Sequence, residues 1–335
     1  MEIVALSSLS RNRRAARGSL CSLLPALLAC ALVLFGSGCS IKRVAINKVG
    51  DALASGGSGF GSDDDPDLIR DAAPFSLKLM ETLLAESPNH VGLRQASASG
   101  FTQYAYAFVQ QEADEVEGKD LDKATAMKQR ARRLYLRARN HGLAGLGALH
   151  RGFEERLRKQ PLAAVAELKA RDAGLAYWTA ASWAAAISLS KNDPELIAQV
   201  PVVEALIDRA AALSPGFGDG SIQTFLITYE MVRQGGTGDP AARSRSHFDA
   251  AVKMSRGEAA APFVSLAEAV SVKQQDRAEF ESLLQRALAV NVDARPEWRL
   301  VNLVMQRRAR WLLSRIDDLI LPPLPPAGSD AGAKP

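Results

Sequence analysis

The chain has 335 residues, of which 47% are hydrophobic and 23% are charged, with three cysteines and a formal net charge of +4. This composition is typical of a globular protein and excludes a largely disordered, collagen-like or polytopic membrane protein. An isoelectric point near 9.0 would suit a nucleic-acid partner. That interpretation depends on where the basic residues lie along the chain.

The first 38 residues have the order of a secretory signal. Four arginines between positions 11 and 17 precede an uncharged apolar run over 20–35, and small residues lead from there to Cys39. This order is typical of a bacterial lipoprotein signal, and the run is shorter than the roughly 20 residues of a membrane-spanning helix. The sequence predicts cleavage after residue 38 and lipidation of Cys39. Gly36 stands where such signals usually carry Leu, so a plain cleaved signal is the alternative.

Removal of residues 1–38 changes the electrostatic argument. It takes away four arginines and one glutamate and leaves 37 basic and 36 acidic side chains. Cys21 and Cys30 leave with the signal, so we expect no free thiol for a disulfide, a nucleophile or a metal site. A nearly neutral chain lacks the basic surface that nucleic acid requires, and no nucleic-acid partner is predicted. Because Ser40 rather than Asp follows Cys39, we expect attachment to the outer membrane, facing the periplasm.

Two polar segments bound the central part of the mature chain. Residues 39–65 are rich in glycine and serine and end in an acidic run, which predicts a lipid-anchored flexible tether. Residues 321–335 predict a disordered, proline-rich tail. Between them, residues 66–320 are expected to form one helical-repeat domain.

Residues 66–320 show helical apolar spacing and clear capping signals throughout, and no segment among them has a convincing strand pattern. Asp-Pro pairs that begin at positions 65, 193 and 239 predict helix starts, as does the spacing of Asp276 and Glu279. In chain order the predicted helices are 66–86, 90–117, 121–140, 144–159, 162–189, 194–213, 218–234, 240–256, 260–274, 277–290 and 296–320. The sequence therefore predicts an all-α fold.

Four helices share a large apolar residue that is followed by alanine one turn later. These residues are Tyr135, Ile207, Phe248 and Leu284, at separations of 72, 41 and 36. The separations fit a degraded helical hairpin of about 34 residues, the tetratricopeptide period, although any helical bundle reuses Ala and Leu. The last helix combines a wide apolar stripe with a basic one and is predicted to be a long capping helix on the array.

Several long segments are similar to those of a known protein family, and they are Asp65–Pro88, Gly100–Gln111, Arg130–Arg139, Tyr177–Ala184 and Arg307–Leu313. Together they resemble the TatT component family of TRAP transporters. The resemblance implies a periplasmic lipoprotein of tetratricopeptide-like repeats that pairs with the periplasmic solute-binding protein of a tripartite ATP-independent periplasmic (TRAP) transporter. It also implies a homotrimer with a central pore, and it supplies no catalytic residues.

Aromatic residues provide the candidate ligand-binding or pore positions. Phe101, Tyr104, Ala105 and Phe108 share one face of a predicted helix, so Tyr106 must point elsewhere. The candidates for a cavity wall or a partner surface are Tyr106, Tyr177, Trp178 and Trp183. Ordinary core packing is the alternative for each of them, since the helix that carries the last three is apolar nearly all round.

Signals for catalysis or for a bound metal are weak. The glycines over 56–61 lack the strand and the Gly-Lys-Ser/Thr of a phosphate loop. The acidic run that begins at Asp63 has the wrong residues for a calcium loop, and His150 with Glu154 lacks a third metal ligand. We therefore expect no enzyme, no cofactor and no metal.

These observations predict a non-enzymatic accessory lipoprotein of a TRAP solute-uptake system. It would bind the solute receptor and pass a small, hydrophobic ligand through a pore. One alternative is a tetratricopeptide-type periplasmic scaffold for envelope assembly with no transport role. Another is a carrier of lipids or fatty acids.

Overall fold

A computed structural model describes residues 46–54 and 57–321, without the side chains of residues 57 and 58. The chain divides into two units, Met1–Val49 and Gly50–Pro335. In the first unit, residues 46–49 are helical, and the second unit contains the other described elements. The predicted signal peptide, Cys39 and residues 322–335 lie outside the described residues.

The described residues of the second unit are mainly helical and include no strand, which confirms the predicted all-α fold. The α-helices are α1 Gly57–Gly61, α2 Pro66–Glu86, α3 Val91–Ala105, α4 Gln111–Val116, α5 Leu121–Leu149, α6 Phe153–Lys159, α7 Pro161–Ala166, α8 Ala173–Ser188, α9 Pro194–Ile197, α10 Val200–Leu213, α11 Ser221–Tyr229, α12 Pro240–Met254, α13 Ala261–Leu266, α14 Val272–Gln274, α15 Arg277–Leu288, α16 Arg299–Ser314 and α17 Ile316–Leu319. Two π-helical turns, π1 Tyr106–Gln110 and π2 Ala267–Ser271, join α3 to α4 and α13 to α14. Short 3-10 turns lie at Ala170–Asp172, Phe217–Asp219 and Pro296–Trp298.

Helix starts lie where the capping residues predict them. The Asp65 carboxylate accepts hydrogen bonds from the backbone N–H groups of Asp67 and Leu68, both at 3.0 Å. The Asp276 carboxylate accepts one from the N–H of Glu279 at 2.9 Å. Each carboxylate satisfies N–H groups that have no partner within the helix, which is why α2 and α15 begin at these points.

Several predicted helices differ from the observed ones in their boundaries. The largest difference is α5, a single helix of 29 residues where the sequence predicts an interruption at 141–143. The predicted helix over 162–189 divides into α7, a 3-10 turn and α8, and the one over 194–213 divides into α9 and α10. The last predicted helix divides into a 3-10 turn, α16 and α17.

Two buried glycines explain why α5 continues. A Cβ atom built on Gly142 would lie 2.1 Å from Oγ1 of Thr179 in α8, and one on Gly145 would lie 2.8 Å from Cδ2 of Leu175. Both distances are shorter than real Cβ contacts, so a side chain at either position would require α8 side chains to shift. The glycines therefore permit close packing of α5 on α8 and do not end the helix.

Consecutive long helices pack against one another. The main pairs are α3 with α5, α5 with α8, α8 with α10, α11 with α12, and α15 with α16. They bury two hydrophobic clusters, one made by residues 69–229 and one by residues 227–320. This sequential packing is compatible with a repeat array, and the tetratricopeptide-like arrangement itself stays a prediction.

The long C-terminal helix α16 buries polar residues that the apolar stripe did not predict. Val301 belongs to the apolar stripe of the last predicted helix and is nevertheless 43% exposed, whereas Asn302 and Gln306 are buried. The Asn302 side-chain oxygen accepts a hydrogen bond from the N–H of Ala260 at 2.9 Å. The Gln306 amide donates to three carbonyl oxygens at the end of α15, at 2.9–3.2 Å. These bonds satisfy helix-end groups, and they hold α16 in place by polar contacts as well as by its apolar side chains.

Residues 57–65, which the sequence assigns to the tether, pack on the domain. Phe60 contacts the first hydrophobic cluster, and the Arg299 guanidinium donates to the carbonyl oxygen of Ser62 at 2.8 Å. A Cβ atom on Gly61 would lie 2.7 Å from the carbonyl oxygen of Glu297. Burial of Phe60 offsets the entropy lost by ordering a glycine-rich segment. Residues 60–62 therefore contact the helical domain, and the extent of the tether stays a prediction.

Candidate functional site

Both π-helical turns contribute to one contact, where α16 meets α4, π1 and π2. We call this contact the seam and define it by Tyr106, Gln111, Asp114, Glu268, Met305 and Arg308. A π turn inserts one residue into a helix, shifts the side chains that follow it, and is frequent at functional sites. Residues about 200 positions apart in the chain meet here, so the seam joins the first helices of the domain to the last.

Arg308 is the central charge of the seam. Its guanidinium bonds Asp114 at 3.0 Å and Glu268 at 2.6 Å, and its side chain is 11% exposed. Burial alone would lower the pKa of this guanidinium, but Glu268, Tyr106 and Asp114 raise it above its ordinary value. The guanidinium also lies over the Trp311 ring, with 4.3 Å from Cζ to the ring centroid. Arg308 is thus a permanent cation that ties α4 and π2 to α16.

Tyr106 of π1 lies at the boundary of the two hydrophobic clusters and packs against both. Its hydroxyl is 4.0 Å from the sulfur of Met305. Burial raises the pKa of this phenol to about 12. The Glu268 carboxylate also raises this pKa, whereas Arg308 and the Gln111 side chain lower it. The phenol therefore stays protonated at physiological pH and acts as a neutral polar group within apolar surroundings.

The Gln111 amide is buried, and its contact with the Tyr106 hydroxyl lowers the pKa of that phenol, although neither amide atom makes a hydrogen bond of ordinary geometry. Its neighbour Gln110 is satisfied, since its side-chain oxygen accepts a hydrogen bond from the Tyr135 hydroxyl at 2.6 Å. Burial raises the pKa of the Tyr135 phenol well above its usual range, which keeps this donor neutral. A buried amide without a well-formed hydrogen bond costs up to about 1–3 kcal/mol, so Gln111 is a candidate binding group.

Two more ion pairs surround the seam on its solvent side. Arg307 bonds Glu115 at 2.5 and 3.0 Å, and Lys128 lies 3.5 Å from Asp114. Arg307 is 45% exposed, so its pair is worth far less than that of Arg308. Of the arginines in the basic stripe of the last predicted helix, Arg307 is therefore a solvated, paired surface residue, whereas Arg308 is buried.

The four aromatic candidates do not share one site. The Tyr106 hydroxyl faces Met305, whereas the Tyr177 hydroxyl donates to the carbonyl oxygen of Ser221 at 3.4 Å. Burial raises the pKa of the Tyr177 phenol above its ordinary value. Trp183 is fully buried, and its indole N–H donates to the Gln199 side-chain oxygen at 2.9 Å. Trp183 is therefore placed as a core residue.

Tyr177 and Trp178 belong to an aromatic cluster that α8 forms with α11. Their ring centroids are 4.8 Å apart, in an edge-to-face arrangement. Tyr177 also contacts Phe217 at 5.4 Å and Phe225 at 6.3 Å, and Phe225 stacks on Tyr229 at 5.4 Å. Trp178 is partly exposed, so this cluster reaches the surface and offers a second apolar contact area.

The remaining polar candidates make structural contacts. The His150 ring bonds Asp172 at 3.0 Å, while Glu154 pairs with Arg158 at 2.8 Å. Within residues 46–54 and 57–321, no group of three His, Cys, Asp or Glu side chains is placed to hold a metal ion. Nor does that part of the chain contain a helix that is both long and apolar enough to cross a membrane.

The sequence pointed to Tyr106 and missed its partners at the seam. Asp114, Glu268 and Gln111 show no distinctive spacing, and a π turn has no simple sequence signature. The contacts of Asp114, Glu268 and Tyr106 at the seam depend on the position of α16, which no local pattern gives.

The fold and the seam define an all-helical protein whose candidate site offers hydrogen bonds, a fixed cation and apolar contacts, as a binding protein does. A family model described as the TRAP transporter T-component matches residues 62–320. The chain therefore belongs to the TRAP transporter T-component family, which confirms the resemblance. It is also similar to an uncharacterized protein of Treponema pallidum (strain Nichols), with 27% identity over 313 residues that cover 87% of this chain and 96% of the relative. Family membership gives the protein an accessory role in a TRAP transporter of the cell envelope.

Proposed function

We propose that the protein is a lipid-anchored, non-catalytic component that binds the periplasmic solute receptor of a TRAP transporter and contacts the transported solute at the seam. Membership of the T-component family supports the first part. The basic and apolar signal that ends at Cys39 supports a lipid anchor, to the outer membrane because Ser40 follows. The family resemblance also supports a homotrimer with a pore.

The buried amide of Gln111, which makes no hydrogen bond of ordinary geometry, carries the proposal that the seam contacts a solute. It offers one acceptor and two donors next to the Tyr106 phenol, whose hydroxyl faces the Met305 thioether. A small, mainly apolar solute with one polar group would give the amide a well-formed hydrogen bond and contact the apolar atoms. That bond would stabilise the complex relative to the protein alone.

Receptor binding is tested by co-purification. Tagged full-length protein, extracted from membranes in detergent, is expected to retain a TRAP-type solute receptor from periplasmic extract. Light scattering is expected to give a mass that is a multiple of three chains. Recovery of envelope-assembly proteins without a receptor would instead favour the scaffold alternative.

Solute contact is tested by Gln111→Leu, with Gln103→Leu on the exposed side of α3 as the matched control. If the seam binds solute, Gln111→Leu raises the unfolding midpoint, because a buried amide without a well-formed hydrogen bond is removed, and yet it abolishes co-purified solute in native mass spectrometry. The control is expected to change neither. A Gln111→Leu protein that keeps its solute would refute the assignment of the seam.

A further inference from the structure

His141 of α5 is a buried imidazole at the point where α2, α3 and α5 meet. Its ring stacks on Phe101 of α3, with the ring centroids 5.7 Å apart and an angle of 3° between the planes. Its Nδ1 atom lies 3.1 Å from Nη1 of Arg94 on α3. Its Nε2 atom lies 3.1 Å from Oε1 of Glu81 on α2. A single ring therefore joins three helices.

The two polar neighbours of the ring fix its protonation state. The Arg94 guanidinium can only donate hydrogen bonds, so Nδ1 must accept and carries no proton. The ionised Glu81 carboxylate can only accept, so Nε2 must carry a proton. Burial lowers the pKa of His141 below its ordinary value of 6.5, and the hydrogen bond to Glu81 opposes this effect. The positive charges of Arg94 and Arg137 lower the pKa as well. This geometry is that of a neutral imidazole with its proton on Nε2.

The ring is the acid-sensitive member of this cluster of charged groups. The Glu81 carboxylate also accepts hydrogen bonds from Arg137 of α5 and from Lys78 of α2. Burial raises the pKa of Glu81, but the hydrogen bonds from its three neighbours lower it to about 2, so Glu81 stays ionised in mild acid. Arginine side chains stay protonated in proteins, whereas imidazole titrates between about pH 5 and 8. A proton that the cluster takes up in mild acid therefore binds to His141.

Protonation of His141 would break its contact with α3 and keep its contact with α2. A proton on Nδ1 makes this atom a donor that faces the Arg94 guanidinium, so the hydrogen bond is lost and two cations meet. The bond from Nε2 to Glu81 survives, because the carboxylate still accepts. Arg94 then has to move. Its Nε atom also donates to the carbonyl oxygen of Pro88 at 2.9 Å and closes the loop between α2 and α3, so its movement releases the start of α3.

We propose that His141, Arg94 and Glu81 form an acid-sensitive latch, which holds the start of α3 on α2 and α5 while the imidazole is neutral and releases it on protonation. In the released state the imidazole has its ordinary pKa of 6.5, and in the latched state its pKa is lower. The latch therefore holds above about pH 6.5. Below that value the released fraction grows by up to about tenfold per pH unit, until the pH reaches the pKa of the latched state. The latch is independent of the proposed transport role.

A second histidine at the start of α3 has to be distinguished from the latch. His90 caps this helix, since its Nδ1 atom accepts a hydrogen bond from the N–H of Leu93 at 3.2 Å. Its Nε2 atom lies 3.3 Å from the Asp51 carboxylate. Protonation of Nδ1 would break this cap as well. Asparagine is a good helix cap that does not titrate, so His90→Asn keeps the cap and removes its dependence on pH.

The latch is tested by hydrogen exchange of the full chain in detergent at about pH 7.5 and about pH 5.5, followed by mass spectrometry of peptides that cover residues 87–98. After correction for the intrinsic effect of pH, exchange is expected to become faster in acid, by up to about tenfold. His90→Asn should keep this acceleration, and His141→Gln should lose it, because glutamine takes up no proton. Peptides from α15 serve as the reference. An acceleration that is absent from the wild type, persists in His141→Gln or disappears in His90→Asn would overturn the proposal.

Nitrogen NMR of histidine-labelled protein tests the latch with the His141 ring in place. At neutral pH the His141 signals are expected to show a bare Nδ1 and a protonated Nε2, and in acid Nδ1 should take up the proton. Arg94→Met removes both the donor and the positive charge, so it should raise the pKa of His141. Circular dichroism checks that each variant is folded. A proton on Nδ1 at neutral pH, or an unchanged pKa of His141 in Arg94→Met, would refute the latch.

Discussion

Gly142→Ala tests the close packing of α5 on α8. In an isolated helix this change would be stabilising, because alanine exceeds glycine in helix propensity by about 1 kcal/mol. In this protein the new Cβ would lie 2.1 Å from Oγ1, 3.1 Å from Cβ and 3.3 Å from Cα of Thr179. The Thr179 hydroxyl donates to the carbonyl oxygen of Leu175 at 2.6 Å, so rotating it away would break a buried hydrogen bond.

The expected cost follows from these two opposing effects. An extra methyl group in a packed core costs about 1–3 kcal/mol of unfolding free energy. We expect a cost at the upper end of this range, because the new Cβ would also lie close to the Cβ and Cα atoms of Thr179. Subtracting the propensity gain leaves a net loss of about 2 kcal/mol. For a unit of this size that corresponds to a decrease of roughly 5 °C in the melting temperature.

Gly147→Ala, in the same helix, is the matched control. No atom lies within 4 Å of a Cβ built there, so this variant should gain up to about 1 kcal/mol. Thr179→Ala combined with Gly142→Ala should recover at least about 1 kcal/mol of the loss in a double-mutant cycle. Urea unfolding followed by circular dichroism measures the wild type and four variants, of which Thr179→Ala alone completes the cycle. Equal stability of the two glycine variants, or no coupling to Thr179, would refute the packing argument.

Three further predictions use the same unfolding assay. Arg308→Met should cost about 1–3 kcal/mol because it leaves Glu268 without its cation, whereas Arg307→Met should cost less than about 1 kcal/mol; equal losses would contradict the role of burial at the seam. Burial raises the pKa of Glu81, but hydrogen bonds from Arg137, Lys78 and His141 lower it from 4.5 to about 2. Because the folded-state pKa is the lower one, this stabilisation is complete above about pH 4.5 and is lost as the pH falls towards 2. Glu81→Gln should remove this pH dependence of the free energy of unfolding, which amounts to at most about 3 kcal/mol. An unchanged pH dependence in the variant would mean that other groups cause it. Asp276→Ala should cost about 1 kcal/mol through loss of the cap of α15, and no loss would show that the cap is dispensable.

The sequence by itself determined the class of fold and most helix starts, because these depend on interactions within one or two turns. The Asp65 and Asp276 caps lie within three residues of the N–H groups that they bond. The burial of Phe101 and Phe108 beside a differently directed Tyr106 followed from helical periodicity alone. Family membership could also be read from the sequence, since the matching segments are long and continuous.

Only the tertiary structure decided where α5 ends, what α16 buries and which residues form the seam. Gly142 signals a helix end by its propensity, but its place against Thr179 makes it a packing residue within the helix. The seam brings Arg308 to Asp114 across 194 positions, and it buries the Gln111 amide without a hydrogen bond of ordinary geometry. Helix propensity and capping depend on residues that are neighbours in the chain. These outcomes depend instead on which helices, distant in the chain, pack together and exclude water. For that reason the sequence predicted the helices, and their packing determined the candidate site.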